Sequence, residues 1–298
     1  MPLTAGERLG PYEIAGVQIE PLPLPNRIYE QAMVSPDGAS AVVQIIDGSI
    51  GLWLLDFSRV TLTPLVTTGG SSQAPVWTKD SKHVIYRATR NGVRNLYRKS
   101  ADGTGDEERL TTKPGMLHTP SSVSADGEWL LFSEVGPQSD RQQWRLELGG
   151  GREATAVSGK EIETNGQASP DGRWVAFEAS TADGWQVYVR PYPGPGARIP
   201  VSRSGGAEPL WSRDGRTLFF RSGAGFYAVD VPATGAFAAT APRLLFEKRF
   251  LLSPNGVTAY SQGKDGRLLC VQSVNPEQPL DTINLVLNWG AELQSLVR

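Results

Sequence analysis

The chain has 298 residues, a formal charge of −2, 20% charged and 39% hydrophobic residues. This is the composition of a globular chain with material for a sizeable core, and it excludes disordered and fibrous classes. The near-zero charge gives no footprint for nucleic acid or an anionic membrane surface, and no apolar run reaches the ~18 to 20 residues of a membrane span.

The N-terminus, MPLTAGERLGPYEI, lacks a basic region followed by an apolar stretch, so no secretory signal is expected and the literal compartment is the cytoplasm. Residues 1–26 read as an extension. Within it VQIEPLP (17–23) suits an outer sheet edge, because Pro21, Pro23 and Pro25 remove donors on one side of an extended chain. From residue 27 onward short β-rich runs follow one another. They are LWLLDF (52–57) and TLTPLVT (61–67), then APVW (74–77), HVIYRA (83–88), NLYRKS (95–100) and EERLTT (107–112). Next come WLLFSE (129–134), QWRLEL (143–148) and EATAVS (153–158), then RWVAFEA (173–179), WQVYVRPY (185–192) and ARIPVS (197–202). The series ends with EPLW (208–211), TLFFRS (217–222), GFYAVDV (225–231), PRLLFE (242–247), RLLCVQSV (267–274) and INLVLNW (283–289). Only AELQSLVR at the C-terminus suits a helical turn.

Thirty-three glycines and 22 prolines punctuate these runs, and the pattern Ser-x-Asp-Gly recurs among them. It stands at 35–38, 124–127, 169–172 and 212–215, with weaker copies TKDS (78–81) and SPNG (253–256). The Asp column, Asp37, Asp80, Asp126, Asp171, Asp214 and then Asn255, has a period in the low forties. Four short strands per unit at that period predict an all-β fold, a six-bladed β-propeller of four antiparallel strands per blade over residues 27–298. Asp37, Asp126, Asp171 and Asp214 are expected to hold hairpin turns, since Asp bonds its own backbone and Gly tolerates positive φ. The neighbouring Trp77, Trp129, Trp174 and Trp211 are expected to pack between blades.

The segments SPDGRWVAF, VYVRPYPGPG and IPVSRSGGAEPLWSRDGRTLFF resemble the TolB-like propeller repeat. The ending INLVLNWGAEL and the opening LTAGERLGPYEI are similar to parts of bacterial serine/threonine protein kinases that bear such propellers. The resemblance implies an interaction or sensing half of such a protein. The catalytic signatures of a kinase are missing: no glycine-rich loop, VAIK-type strand, HRD or DFG sequence is present.

Other chemistries find little support. There is no GxSxG elbow, and the only histidines are His83, in an alternating strand, and His118, before the third unit. Cys270 in LLCVQ reads as a small buried hydrophobe. The turns differ in spacing from sialidase Asp boxes, and no carboxylate set suits a metal, so neither metal nor cofactor is expected. Positions six or seven before the Asp column should meet at one channel mouth, which nominates Gln31, Gln73, Asn165, Glu208 and Arg249, with His118 nearby, as a polar ligand site. Glu208 and Arg249 would form an exposed pair. The resulting expectation is a monomeric, non-enzymatic propeller that binds a protein or peptide partner, with no nucleic acid and no membrane insertion. A channel-centred metal-dependent hydrolase or lyase and a sensor of a small polar solute are the alternatives.

Overall fold

The computed structural model describes residues 7–9, 12–14, 18–113, 116–136, 141–150, 153–157, 162–194, 196–248, 250, 256–272 and 282–287. Strands β1 (Glu7–Leu9) and β2 (Tyr12–Ile14) form a two-stranded hairpin, and β3 (Gln18–Pro21) follows. The first four-stranded sheet contains β4 (Ile28–Val34), β5 (Ser40–Asp47), β6 (Ser49–Asp56) and β7 (Thr61–Val66). The second contains β8 (Ser72–Trp77), β9 (His83–Arg90), β10 (Val93–Ser100) and β11 (Glu108–Arg109). The third is built of β12 (Leu117–Val123), β13 (Trp129–Val135), β14 (Arg141–Glu147) and β15 (Ala154–Ala156). The fourth has β16 (Glu163–Ala168), β17 (Trp174–Thr181), β18 (Gly184–Pro191) and β19 (Ile199–Pro200). The fifth has β20 (Ala207–Trp211), β21 (Thr217–Ser222), β22 (Gly225–Asp230) and β23 (Arg243–Glu247). Finally, β24 (Tyr260–Gln262), β25 (Leu268–Gln272) and β26 (Thr282–Leu287) pair in order, and β3 joins the outer side of β26.

The chain is an all-β propeller with four antiparallel strands per sheet. The expected count of six equal blades is corrected in one respect. Five blades, not six, are made of four consecutive strands, and the remaining sheet is a composite of the two ends of the described chain. The INLVLNW segment, expected as a fourth strand, is the third, and residues 18–21 supply the fourth. An outermost place suits residues 18–21, because Pro21 can give no donor to a further strand.

Apolar clusters occupy the seams between successive sheets. Ile85 and Leu96 of the second sheet pack with Leu130 and Phe132 of the third, and Phe226 of the fifth packs with Tyr260 of the last. Leu269 and Val271 of the last sheet pack with Tyr29, Ala32 and Val43 of the first, so the seam at the chain ends is filled like the others. Polar clasps reinforce the seams: Trp77 Nε1 donates to Met33 O (2.8 Å), Trp211 Nε1 to Gln167 O (2.9 Å) and Ser261 Oγ to Ala32 O (3.0 Å).

The Ser-x-Asp-Gly turns have one construction. The Ser hydroxyl donates to the Asp carboxylate in Ser35–Asp37 (2.6 Å), Ser124–Asp126 (2.5 Å), Ser169–Asp171 (2.5 Å) and Ser212–Asp214 (2.6 Å). The same carboxylate accepts a backbone N–H two residues on, from Ala39, Glu128, Arg173 and Arg216. The glycines adopt φ of 72° (Gly38), 80° (Gly127), 72° (Gly172) and 70° (Gly215). A Cβ on Gly38 would lie 3.0 Å from Lys264 of the last sheet, and one on Gly215 would lie 3.5 Å from Pro170 of the fourth. The turn of the last sheet is therefore Gly263–Lys264–Asp265–Gly266, with Asp265 accepting Arg267 N (3.1 Å). The expected turn at SPNG falls mostly outside the described residues.

Two outcomes follow. Deleting residues 1–22, which removes β3, should lower the melting temperature well below that of a 1–16 deletion, as calorimetry can check. Asp171→Ala should cost about 1 to 3 kcal/mol in denaturant unfolding.

Candidate functional site

The inner strands are not regular. Their pairing with the second strands shifts register between Tyr29 and Gln31, Gln73 and Val76, Pro120 and Ser122, Thr164 and Gln167, and Ala207 and Leu210. These are β-bulges at one height on five sheets. At three of them a residue other than glycine takes the left-handed conformation: Ala74 (φ 54°), Asn165 (φ 53°) and Glu208 (φ 55°). The N–H of each finds an acceptor on the preceding sheet. Ala74 N donates to Gln44 Oε1 (2.8 Å), Asn165 N to Ser133 Oγ (3.4 Å) and Glu208 N to Glu178 Oε1 (2.8 Å). Gln44, Ser133 and Glu178 each occupy the fifth place of a second strand, as do Arg87 and Arg221.

These groups fill the strand-start end of the channel. Asn165 Nδ2 donates to Glu178 Oε1 (2.8 Å) and Thr258 Oγ1 (3.1 Å). Gln167 Nε2 donates to Asn165 Oδ1 (3.0 Å) and Ser121 O (2.9 Å), and Gln31 Nε2 donates to Thr258 O (3.0 Å). Tyr260 donates its hydroxyl to Glu208 O (2.6 Å). Arg221 Nη1 donates to Glu208 Oε2 (3.1 Å) and Nη2 to Phe250 O (2.9 Å). Glu178 is 5% exposed, and burial raises its carboxyl above the ordinary range, against the hydrogen bonds from Asn165 and Glu208.

Of the nominated residues, Gln31, Asn165 and Glu208 belong to this one network. Gln73 instead accepts from Arg87 Nε (3.0 Å), beside it across β8 and β9. His118 is 2% exposed; its Nε2 meets Glu134 Oε2 (3.0 Å) and its Nδ1 meets Thr111 Oγ1 (3.1 Å). Burial lowers the affinity of His118 for a proton, with Glu134 opposing. Arg249 lies outside the described residues. The expected pairing of Glu208 with Arg249 therefore lies outside the described residues, but its expected exposure is corrected: Glu208 pairs with Arg221 of its own sheet, and their side chains are 5% and 4% exposed. Sequence reasoning missed Glu178, Arg221 and Arg87, although each is a charge closing an apolar run, in WVAFE, TLFFR and HVIYR.

At the opposite end the channel opens between the Ser-x-Asp-Gly turns as a recess of about 520 Å³. Asp37, Asp80, Ser122, Gln167, Arg213 and Gln262 line it, one from each sheet. Arg213 braces its rim, donating from Nη1 to Pro36 O (2.7 Å), Nη2 to Ser35 O (3.0 Å) and Nε to Gln262 O (3.0 Å). Gln167 belongs both to the recess and to the network behind it. Among the described residues no cluster of three or more His, Cys, Asp or Glu is placed to hold a metal ion, and no helix is long and apolar enough to cross a membrane.

No family model matches the sequence. Uncharacterized protein Atu1656 of Agrobacterium fabrum strain C58 is 28% identical over 152 residues, and the chain spans about half the length of this relative (50% of each). Among solved structures, TolB from Acinetobacter baumannii superposes with a TM-score of 0.56 at 18% identity, over 73% of this chain and 56% of that one. An oligogalacturonate lyase in complex with manganese gives 0.60 at 17%, covering 89% and 77%. The gluconolactonase XC5397 from Xanthomonas campestris gives 0.62 at 13%, covering 92% and 90%. Identities this low establish a TolB-like propeller fold and nothing of the kinase association. They also overturn the expectation of a non-enzyme. Lactonase and lyase chemistry is housed on this same fold, so the absence of kinase and serine-hydrolase motifs does not exclude catalysis.

The network generates a pH-dependent outcome. A carboxyl raised by burial binds its proton more tightly when folded, so its contribution is fully present below the unfolded value and is lost as pH rises through the folded one. Glu178→Gln keeps an acceptor for Asn165 and Glu208 and removes the titration. Its melting temperature relative to wild type should therefore rise as pH increases above about 4, the ordinary carboxyl range. Arg221→Met, which strands Glu208, should cost about 3 to 5 kcal/mol in denaturant unfolding.

Proposed function

We propose that the protein is an interaction propeller that seats a short polar peptide segment of a partner in the recess between its Ser-x-Asp-Gly turns. The observation that carries this reading is the recess itself. Its volume, about 520 Å³, lies in the range of ligand sites, and every sheet contributes to its wall. The wall offers both signs of charge, Asp37 and Asp80 against Lys79 and Arg213, together with hydroxyl and amide groups. A peptide backbone with mixed side chains satisfies such a wall better than an apolar molecule. The rim is also pre-organised by Arg213 and the turn hydrogen bonds, so binding orders little of the protein.

Peptides selected from a displayed random library provide the probe, read by fluorescence anisotropy. Ala168, in the recess wall, stands where the second and fifth sheets carry Trp77 and Trp211, immediately before the turn. Ala168→Trp should retain the melting profile and weaken the selected peptides at least tenfold, about 1.4 kcal/mol. Lys79→Glu, on the surface of the recess, should weaken acidic peptides alone. Unchanged affinities in both variants would defeat the reading.

A further inference from the structure

The hydrogen bonds inside the recess between the turns leave one buried polar atom over. Gln167 lines the recess, yet the residue is only 9% exposed. Its amide is locked from the far side. Glu208 N can only donate, so Glu178 Oε1 is an acceptor, and it takes Asn165 Nδ2 as well (both 2.8 Å). Asn165 Oδ1 is thereby turned toward Gln167, whose Nε2 donates to it (3.0 Å) and to Ser121 O (2.9 Å). Both hydrogens of Nε2 are then spent, and the orientation that spends them leaves Oε1 as the free end. Among the described residues Oε1 receives no hydrogen bond, and it is not sealed from solvent. The solvent it meets is the recess.

The other strand-borne polar side chains of the wall point their donors into the protein. Trp77 Nε1, Trp211 Nε1 and Ser261 Oγ clasp neighbouring sheets. Ser121 Oγ donates to Leu131 O (3.0 Å), Ser122 Oγ to Gly166 O (2.9 Å) and Gln262 Nε2 to Gly266 O (3.3 Å). Between them Met33, Val123 and Leu210 are half-buried and give the recess an apolar collar. At the rim both kinds of group remain: Lys79 can donate, while Asp37 and Asp80 spend Oδ1 in their own turns and keep Oδ2. The rim charges of Asp37, Asp80, Lys79 and Arg213 cancel, so the free acceptor selects the occupant rather than net charge. A carboxylate would bring acceptors alone to a wall whose donors are turned away. A hydroxyl or amide would satisfy Gln167 Oε1 but bring an acceptor of its own. An ammonium has three donors and no acceptor, and its charge strengthens the bond it makes.

We propose that Gln167 is the specificity-determining residue of the recess, its amide oxygen receiving a primary ammonium of the partner segment, from a lysine side chain or a chain N-terminus. The inference rests on the recess seating a peptide. Nuclear magnetic resonance of the full chain tests it through the indole N–H signals of Trp77 and Trp211, the tryptophans of the recess wall. N-acetyl-lysine amide should bind at least tenfold more tightly than N-acetyl-norleucine amide, which keeps the stem without the ammonium. N-acetyl-glutamate amide should not saturate. Alanine amide, an α-ammonium without the stem, separates the two sources: affinity equal to that of the lysine probe assigns an N-terminus, and weaker binding assigns lysine. Gln167→Lys keeps donors for Ser121 O and Asn165 Oδ1 and removes the acceptor, so it should lower the affinity for the lysine probe at least tenfold. Should that variant fail to fold, lysine against norleucine on the wild-type chain decides alone, and equal affinities would overturn the proposal. If peptides selected on the recess bind with no preference for a free amine, the recess reading stands and this inference falls. If neither selected peptides nor amines shift the indole signals, both fall.

Discussion

The organisation of this propeller depends on how a bulged inner strand satisfies its freed backbone donor. Where the register slips, the residue in the bulge turns its N–H out of its own ladder, and a buried N–H without an acceptor is costly. The acceptor comes from the fifth position of the second strand on the sheet before it: Gln44 for Ala74, Ser133 for Asn165 and Glu178 for Glu208. The first, third and fourth sheets thereby fix the bulge of the sheet that follows. The left-handed residues, costing about 1 to 3 kcal/mol each, are maintained by the ring rather than by their own sheet. A polar column in the interior of an apolar array is the consequence, and it places carboxylates and guanidinium groups where a channel would otherwise be lined by hydrocarbon.

A second cyclic contact runs through the turns. Gly38 packs on Lys264, Gly127 on Lys79, Gly172 on Ala125 and Gly215 on Pro170, so the glycine of one turn meets the residue after the first turn position on the preceding sheet. Positive φ favours glycine there, which is why the motif repeats so faithfully. In the second sheet Ser81 takes that place with φ 60°, and its hydroxyl accepts Asp37 N (3.0 Å) from the first turn. The carboxylates of Asp37, Asp80, Asp126 and Asp171 titrate in the opposite direction to Glu178. The Ser35 hydroxyl and then Ala39 N hold Asp37 below the ordinary range, so its stabilising contribution disappears as pH falls. Turns and channel thus favour different pH limits.

The parts of this arrangement that the sequence made legible are those governed by local chemistry. The Ser-x-Asp-Gly turns could be read because their hydrogen bonds close within five residues, and the strands between them because aromatic and branched residues gather there. The last sheet escaped that reading. Its turn, Gly263–Gly266, lacks the serine and stands 51 residues after Asp214, beyond the period of the others. Its fourth strand comes from residues 18–21, and pairing across the whole length of the chain leaves no local signature. The ligand column was read from inner strands alone, which found Gln31, Asn165 and Glu208. It omitted Glu178 and Arg221, since a charge at the end of an apolar run looks like an ordinary strand end until the bulge that needs it is known.

The two ends of the channel are chemically unlike for the same reason. At the turn end the side chains beyond the bulge return to the regular alternation, and Ser122, Gln167 and Gln262 face an open recess. At the strand-start end the bulge directs Asn165 and Glu208 inward, and their partners from the second strands must accompany them into the interior. Gln167 joins the two regions, lining the recess while bonding to Asn165 Oδ1. A group bound in the recess that competes for the Gln167 amide would release one acceptor of Asn165 and so disturb the donor set around Glu178. A rigid ring of sheets with such a polar relay along its axis can hold a ligand, and it can also hold a carboxyl of altered acidity beside one. That is sufficient for a single fold to serve both recognition and chemistry, with the outcome set by which side chains occupy the fifth places and the bulges.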